Sequence, residues 1–240
     1  MSFDVRYKTP CNILLTGPTQ SGKSTFINKT LRWRHLLFDP IPKTVFFVYA
    51  GKLPMADYML KKGLIHKAIK GLPKSYDALE GMISPYADDG VLVIVDDGLS
   101  QLESYLPTVF EELTHRMNTT FLFVSQTTFL ASTLYRRLSD QSHYIICLRN
   151  ARNSLKIRHL ATQVRPCNPS FIVKSYIDAT NPKRLVNDAE KKHNAEKSSL
   201  GYGYCIFDFF NHTPEILRVR SNIFPNEKDP VTVYKEGAEN

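Results

Sequence analysis

The sequence predicts an α/β fold with a mainly parallel central sheet flanked by helices and extra strands near the C-terminus. Short apolar runs of strand length recur with few polar interruptions, the pattern of strands buried on both faces. Stretches of helical length separate them, so the order is β-α-β-α and the connections read as crossovers. The length of 240 residues suits one sizeable domain. A hydrophobic fraction of 42% and a charged fraction of 22% exclude a largely disordered chain.

The elements follow in order. Asn12–Thr16, Thr44–Tyr49, Val91–Asp96, Thr120–Ser125 and Tyr144–Leu148 are short apolar segments and are expected as strands. Lys23–Arg34, Pro54–Lys62, Ser75–Ser84, Gln101–Met117 and Phe129–Leu138 lie between them and are expected as crossover helices. Beyond these, Asn153–Val164 reads as a helix, and Phe171–Tyr176, Tyr202–Phe210 and Leu217–Ser221 read as strands. Pro182–Ser199 is highly charged and reads as a solvated helix or loop. Residues 1–224 are expected as a single domain and residues 225–240 as a C-terminal tail. No internal repeat or low-complexity segment is visible.

The strongest motif is Gly17-Pro18-Thr19-Gln20-Ser21-Gly22-Lys23-Ser24, followed by Thr25. It matches G-x-x-x-x-G-K-[ST], the P-loop or Walker A pattern, between an apolar strand and a helix start. Glycines let the backbone curl so that successive N–H groups converge on phosphate oxygens, and the helix N-terminus adds partial positive charge. Lys23 is suited to the β- and γ-phosphates of ATP, and the Ser24 hydroxyl to Mg²⁺. The strand Val91–Asp96 runs into a second acid, Asp97. A strand-end carboxylate near a P-loop suits Mg²⁺, so Asp96 is the second metal candidate. Asp97 is the candidate general base for an attacking water, or else a helix N-cap. The next strand ends at Gln126, placed to sense the γ-phosphate or orient water, unless it only serves a turn.

The formal charge is +8, from 31 Lys and Arg against 23 Asp and Glu. Residues 116–174 hold nine basic side chains and one acid, Asp140, and the rest of the chain is nearly balanced. A polyanionic partner or a solvated basic surface fits that excess. Cys11, Cys147, Cys167 and Cys205 form no C-x-x-C pair, which argues against a paired-cysteine zinc site and for free thiols in a reducing compartment. The start MSFDVRYK lacks the apolar run of a signal peptide, and no apolar stretch approaches the ~20 residues that span a bilayer. The expectation is a soluble intracellular protein with no membrane insertion.

These motifs in this order resemble the HerA–FtsK superfamily of P-loop ATPases, and within it the viral genome-packaging ATPases of poxviruses, virophages and Polinton- or adintovirus-like elements. The resemblance covers roughly residues 10–224. It is carried by the P-loop at Gly17–Ser24, by Leu92-Val93-Ile94-Val95-Asp96-Asp97 and by the strand ending in Ser125-Gln126. It is also carried by Leu148-Arg149-Asn150-Ala151-Arg152-Asn153, similar to the family's F-x-N-P-R-D element. Gly203–Asp208 and Arg218–Phe224 complete it. Ala151 stands where the family has proline, and Asn153 where it has an acid.

The resemblance implies a RecA/FtsK-like P-loop NTPase fold and an ATP-hydrolysing, Mg²⁺-dependent motor that pushes double-stranded DNA into a preformed capsid. It further implies a homo-oligomeric ring, capsid proteins as partners and action in a host cell, in the nucleus or a viral factory, or on the virion. In such rings an arginine of one subunit reaches the neighbour's γ-phosphate. Arg152 is the first candidate, Arg149 the next, and Arg136 and Arg137 form a second pair that suits the neighbour's ATP or DNA. A nucleotide kinase and a nucleotide-binding switch with little turnover are the alternatives. The Gln126 strand and the C-terminal strands weigh against the kinase, and the retained Lys23, Ser24, Asp96 and Asp97 against a dead site.

Overall fold

A computed structural model describes residues 4–50, 54–96, 108–126, 133–150, 154–181, 202–227 and 229–237. Its strands are β1 (Tyr7–Lys8), β2 (Asn12–Thr16), β3 (Phe38–Asp39), β4 (Thr44–Tyr49), β5 (Lys67–Lys70), β6 (Val91–Asp96), β7 (Thr119–Ser125), β8 (Tyr144–Leu148), β9 (Tyr204–Asp208), β10 (Val219–Ser221) and β11 (Thr232–Val233). Its main helices are α1 (Lys23–Arg32), α2 (Pro54–Lys61), α3 (Tyr76–Ile83), α4 (a π-helical stretch Val109–Leu113 continued by Thr114–Arg116), α5 (Thr133–Asp140), α6 (Ser154–Val164) and α7 (Pro169–Ala179).

Among the described residues nine strands form one sheet in the order β11-β10-β9-β8-β2-β7-β6-β4-β5. The six strands from β8 to β5 are parallel, and β9, β10 and β11 extend the sheet with antiparallel pairings. The expected architecture is therefore present: a mainly parallel sheet, helices on it and extra C-terminal strands. Both faces are covered. Ile13, Leu15, Leu92, Ile94, Leu122 and Val124 pack with Phe26, Ile27 and Leu31 of α1 and Met59 of α2. Leu14, Val93, Val95, Phe121 and Phe123 point the other way, onto side chains of α3 to α7. Alternate residues of one strand thus feed two cores, which explains why the runs are apolar throughout.

The differences from the expected elements have local causes. Phe171–Tyr176 is not a strand but the middle of α7. Asn168 caps that helix by accepting the Phe171 N–H at 3.2 Å, Pro169 follows the cap, and Ile172, Ser175, Tyr176 and Ala179 are buried at helical spacing. The β-branched and aromatic composition suggested a strand; the cap and the spacing override it. The helix expected to Arg34 ends at Arg32, because Trp33 leaves helical backbone, and a separate turn Arg34–Leu37 follows. The edge strand β5 went unexpected because its sequence KAIK has no apolar run. The stretch from residue 225 is not wholly a tail. Thr232–Val233 pairs with Arg220 and Ser221, and the buried Tyr234 donates its hydroxyl to Asp178 at 2.9 Å. Residues 182–199 lie outside the described residues, as do the first seven residues of the expected helix Gln101–Met117 and the start of Phe129–Leu138. Among the described residues, no helix is long and apolar enough to cross a membrane.

Candidate functional site

The carboxyl ends of the parallel strands share one edge, the place where open α/β sheets bind ligands. Register fixes what meets there. Asp96 at the end of β6 lies opposite Tyr49 of β4 and Val124 of β7, and Thr16 at the end of β2 lies opposite Ser125 and Cys147. β7 sits between β2 and β6. Gln126 therefore leaves the sheet between the P-loop strand and the Asp96 strand.

The loop from Gly17 to Gly22 is tied down at both ends. The Gly17 N–H donates to the Ser125 carbonyl at 3.2 Å, and the Ser21 N–H to the Pro18 carbonyl at 3.2 Å. Gly22 caps α1 with φ of +100°, which L side chains rarely adopt, and Phe26 makes the first helical hydrogen bond back to it at 2.9 Å. The N–H groups of Ser24 and Thr25 thus have no acceptor within the helix. Space is as demanding as dihedrals: a Cβ on Gly17 would sit 2.5 Å from Ser21 Oγ and 2.8 Å from Leu148 Cβ. A Cβ on Gly22 would overlap the ring of Tyr202.

Lys23 Nζ donates to the Gly17 and Pro18 carbonyls at 2.8 and 2.9 Å, which holds the ammonium over the loop. Thr19 Oγ1 donates to Gln126 Oε1 at 3.3 Å, so the end of β7 touches the loop directly. Ser24 and Thr25 are exposed at the start of α1, as are Thr19 and Gln20, while Asp96 is 9% exposed. The Ser21 hydroxyl is buried against the loop and has no hydrogen-bond partner among the described residues. An unsatisfied donor in a curl that opens a helix suits a phosphate oxygen. Ser24 and Asp96 offer hard oxygen ligands of the kind Mg²⁺ takes alongside phosphates. The described residues contain no group of three or more His, Cys, Asp or Glu able to hold a metal by themselves.

Asp97 and Arg152 lie outside the described residues. Arg149 is exposed just after β8; Arg136 and Arg137 are exposed on α5, where Arg136 approaches Asp140 at 3.9 Å. Cys11, Cys147 and Cys205 are buried free thiols whose pKa burial pushes up, and Cys167 is an exposed free thiol. Sequence reasoning missed Tyr202 and Leu148 as walls of the loop. Nothing local could reveal them: Leu148 reaches Gly17 through the pairing of β8 with β2, and Tyr202 reaches Gly22 because β9 pairs with β8.

No family model matches the chain, and no curated protein matches it. Among solved structures it is similar to the genome packaging NTPase B204 from Sulfolobus turreted icosahedral virus 2 in complex with ATP-gammaS. The identity is 9% and the TM-score 0.49, over 97% of this chain and 98% of that one. A likeness of that size bears on neither activity nor partners.

Proposed function

We propose that this chain is an ATP-hydrolysing motor that translocates double-stranded DNA into a viral capsid. The observation that carries the nucleotide half is the shared edge: the P-loop, Asp96 and Gln126 meet there, with Gln126 bonded to Thr19 of the loop. The DNA half rests on the ordered motifs and their family resemblance. The N–H groups of the loop and of α1 bind the phosphates, and Lys23 neutralises β- and γ-phosphate charge. Ser24 and Asp96 would hold Mg²⁺, which would offset the charge that develops on the phosphates. Asp97 takes a proton from the attacking water, and Gln126 orients that water. Arg152 of a neighbouring subunit in a ring completes the site. Capsid proteins are the docking partners, and the host cell is the setting.

The test is ATP turnover by the full chain with and without double-stranded DNA. Lys23→Ala abolishes turnover. Asp97→Asn still binds ATP but hydrolyses it about 10²- to 10⁴-fold more slowly. Wild-type turnover no faster than that of Lys23→Ala, with DNA present, would leave only a nucleotide-binding switch.

A further inference from the structure

The proposed site accounts for the phosphates and leaves the nucleobase without a contact. The strand order says where the base must go. Asp96 and Gln126 lie on the β7–β6 side of the P-loop strand, so in the proposed site the γ end of a triphosphate faces that side. The nucleoside then leaves the cradle on the opposite side, towards β8 and β9. That side is built in advance. The Tyr176 hydroxyl donates to the Leu148 carbonyl at 3.1 Å and accepts the Asn150 N–H at 2.9 Å, holding the chain as it leaves β8. Leu148 packs on Gly17.

Tyr202 stands over the same side, two residues before β9. Its Cβ, Cγ and Cδ1 occupy the space that a side chain on Gly22 would need, so part of the ring lies directly on the phosphate loop. Yet Tyr202 remains 44% exposed, whereas Tyr204, the next aromatic along, is 2% exposed and packs its ring edge-on against Phe26. Among the described residues the ring is supported by the loop on one side and open on the other, where it can take one flat apolar partner.

We propose that Tyr202 is the platform on which the base of the bound nucleotide stacks, with purine nucleoside triphosphates as the ligand class. This inference rests on the nucleotide site proposed above. Stacking uses the face of the base and not its edge. The site therefore favours purines over pyrimidines by area and distinguishes adenine from guanine weakly.

The experiment is calorimetric titration of the full chain, in Mg²⁺, with ATP, CTP and inorganic tripolyphosphate. Tyr202→Ala weakens ATP binding about 5- to 150-fold, the range of base–aromatic stacking. Its affinity for tripolyphosphate, which has no base, is unchanged. Tyr202→Phe keeps wild-type ATP affinity. If Tyr202→Ala does not fold, Tyr202→Leu, which refills the space beside Gly22 without a π-face, shows the same split between the two ligands. Equal losses for ATP and tripolyphosphate would mean that Tyr202 only braces the loop, and would overturn this inference while sparing the nucleotide site. No binding of either ligand to the wild type would overturn both.

Discussion

Arg220 carries its charge into the sheet with 1% of the side chain exposed, and its partner Asp208 is equally enclosed. Arg220 Nη1 donates to Asp208 Oδ2 and to the Leu217 carbonyl, both at 2.7 Å. Asp208 Oδ1 accepts from the Phe210 N–H and the Thr213 hydroxyl at 2.9 and 3.0 Å. Tyr144 presents its ring 5.8 Å from the guanidinium. Strands β9 and β10 are thus joined by one buried ion pair. Removing one partner strands the other. Arg220→Met is expected to cost about 3–5 kcal/mol in urea denaturation. Asp208→Leu combined with Arg220→Met should cost less than either change alone. A single-variant loss under about 1 kcal/mol would contradict this account of the pair.

The amino ends of β2 and β8 are pinned by one histidine. The Asn12 N–H donates to His143 Nδ1 at 3.0 Å, and the His143 N–H donates to the Asn12 carbonyl at 2.8 Å. An Nδ1 that accepts a hydrogen bond cannot carry a proton. Burial pushes the His143 pKa below 6.5, His115 nearby pushes the same way, and Asp208 opposes weakly. The unfolded chain therefore takes up a proton before the folded one does. The stability due to neutral His143 is present above about pH 6.5 and is lost as pH falls below it. Stability measured against pH should drop more steeply below that point in wild type than in His143→Gln, and parallel curves would exclude the effect. Helix α7 shows how a run of six residues misleads. Phe171–Tyr176 has strand-like composition, while the Asn168 cap and four buried positions make it a helix packed on the sheet.

Across the chain, the basic excess of residues 116–174 is partly neutralised on folding. Arg116 pairs with Glu112 at 3.1 Å, and Arg165 pairs with Glu215 at 3.4 Å and with Glu236 at 2.6 Å. Glu215 and Glu236 come from outside that basic stretch, so part of the charge counted in sequence never faces a partner. Arg137, Arg149, Arg158 and Lys174 remain exposed, and Arg158 and Lys174 line one groove between α6 and α7. Contacts of such side chains with DNA go to phosphates and release counterions. The affinity for double-stranded DNA should fall linearly with salt on logarithmic axes, by about 0.9 per phosphate neutralised, and vary little with sequence. A flat salt response or strong sequence preference would argue against a DNA-tracking surface.

Composition and order alone determined the layered α/β class, four of the five parallel core strands to the residue, and the glycine-bounded loop Gly17–Gly22 between a strand and a helix. Those features are local: a strand buried on both faces must be apolar throughout, and a tight loop whose backbone reaches φ of +100° at Gly22 needs glycine. Tertiary structure alone decided which strands are neighbours. It seated Gln126 between the loop and Asp96, laid Tyr202 on Gly22, buried Arg220 with Asp208 and closed Thr232–Val233 onto the sheet edge. Each of these joins residues far apart in the chain through hydrogen-bond register, which no short window of sequence contains.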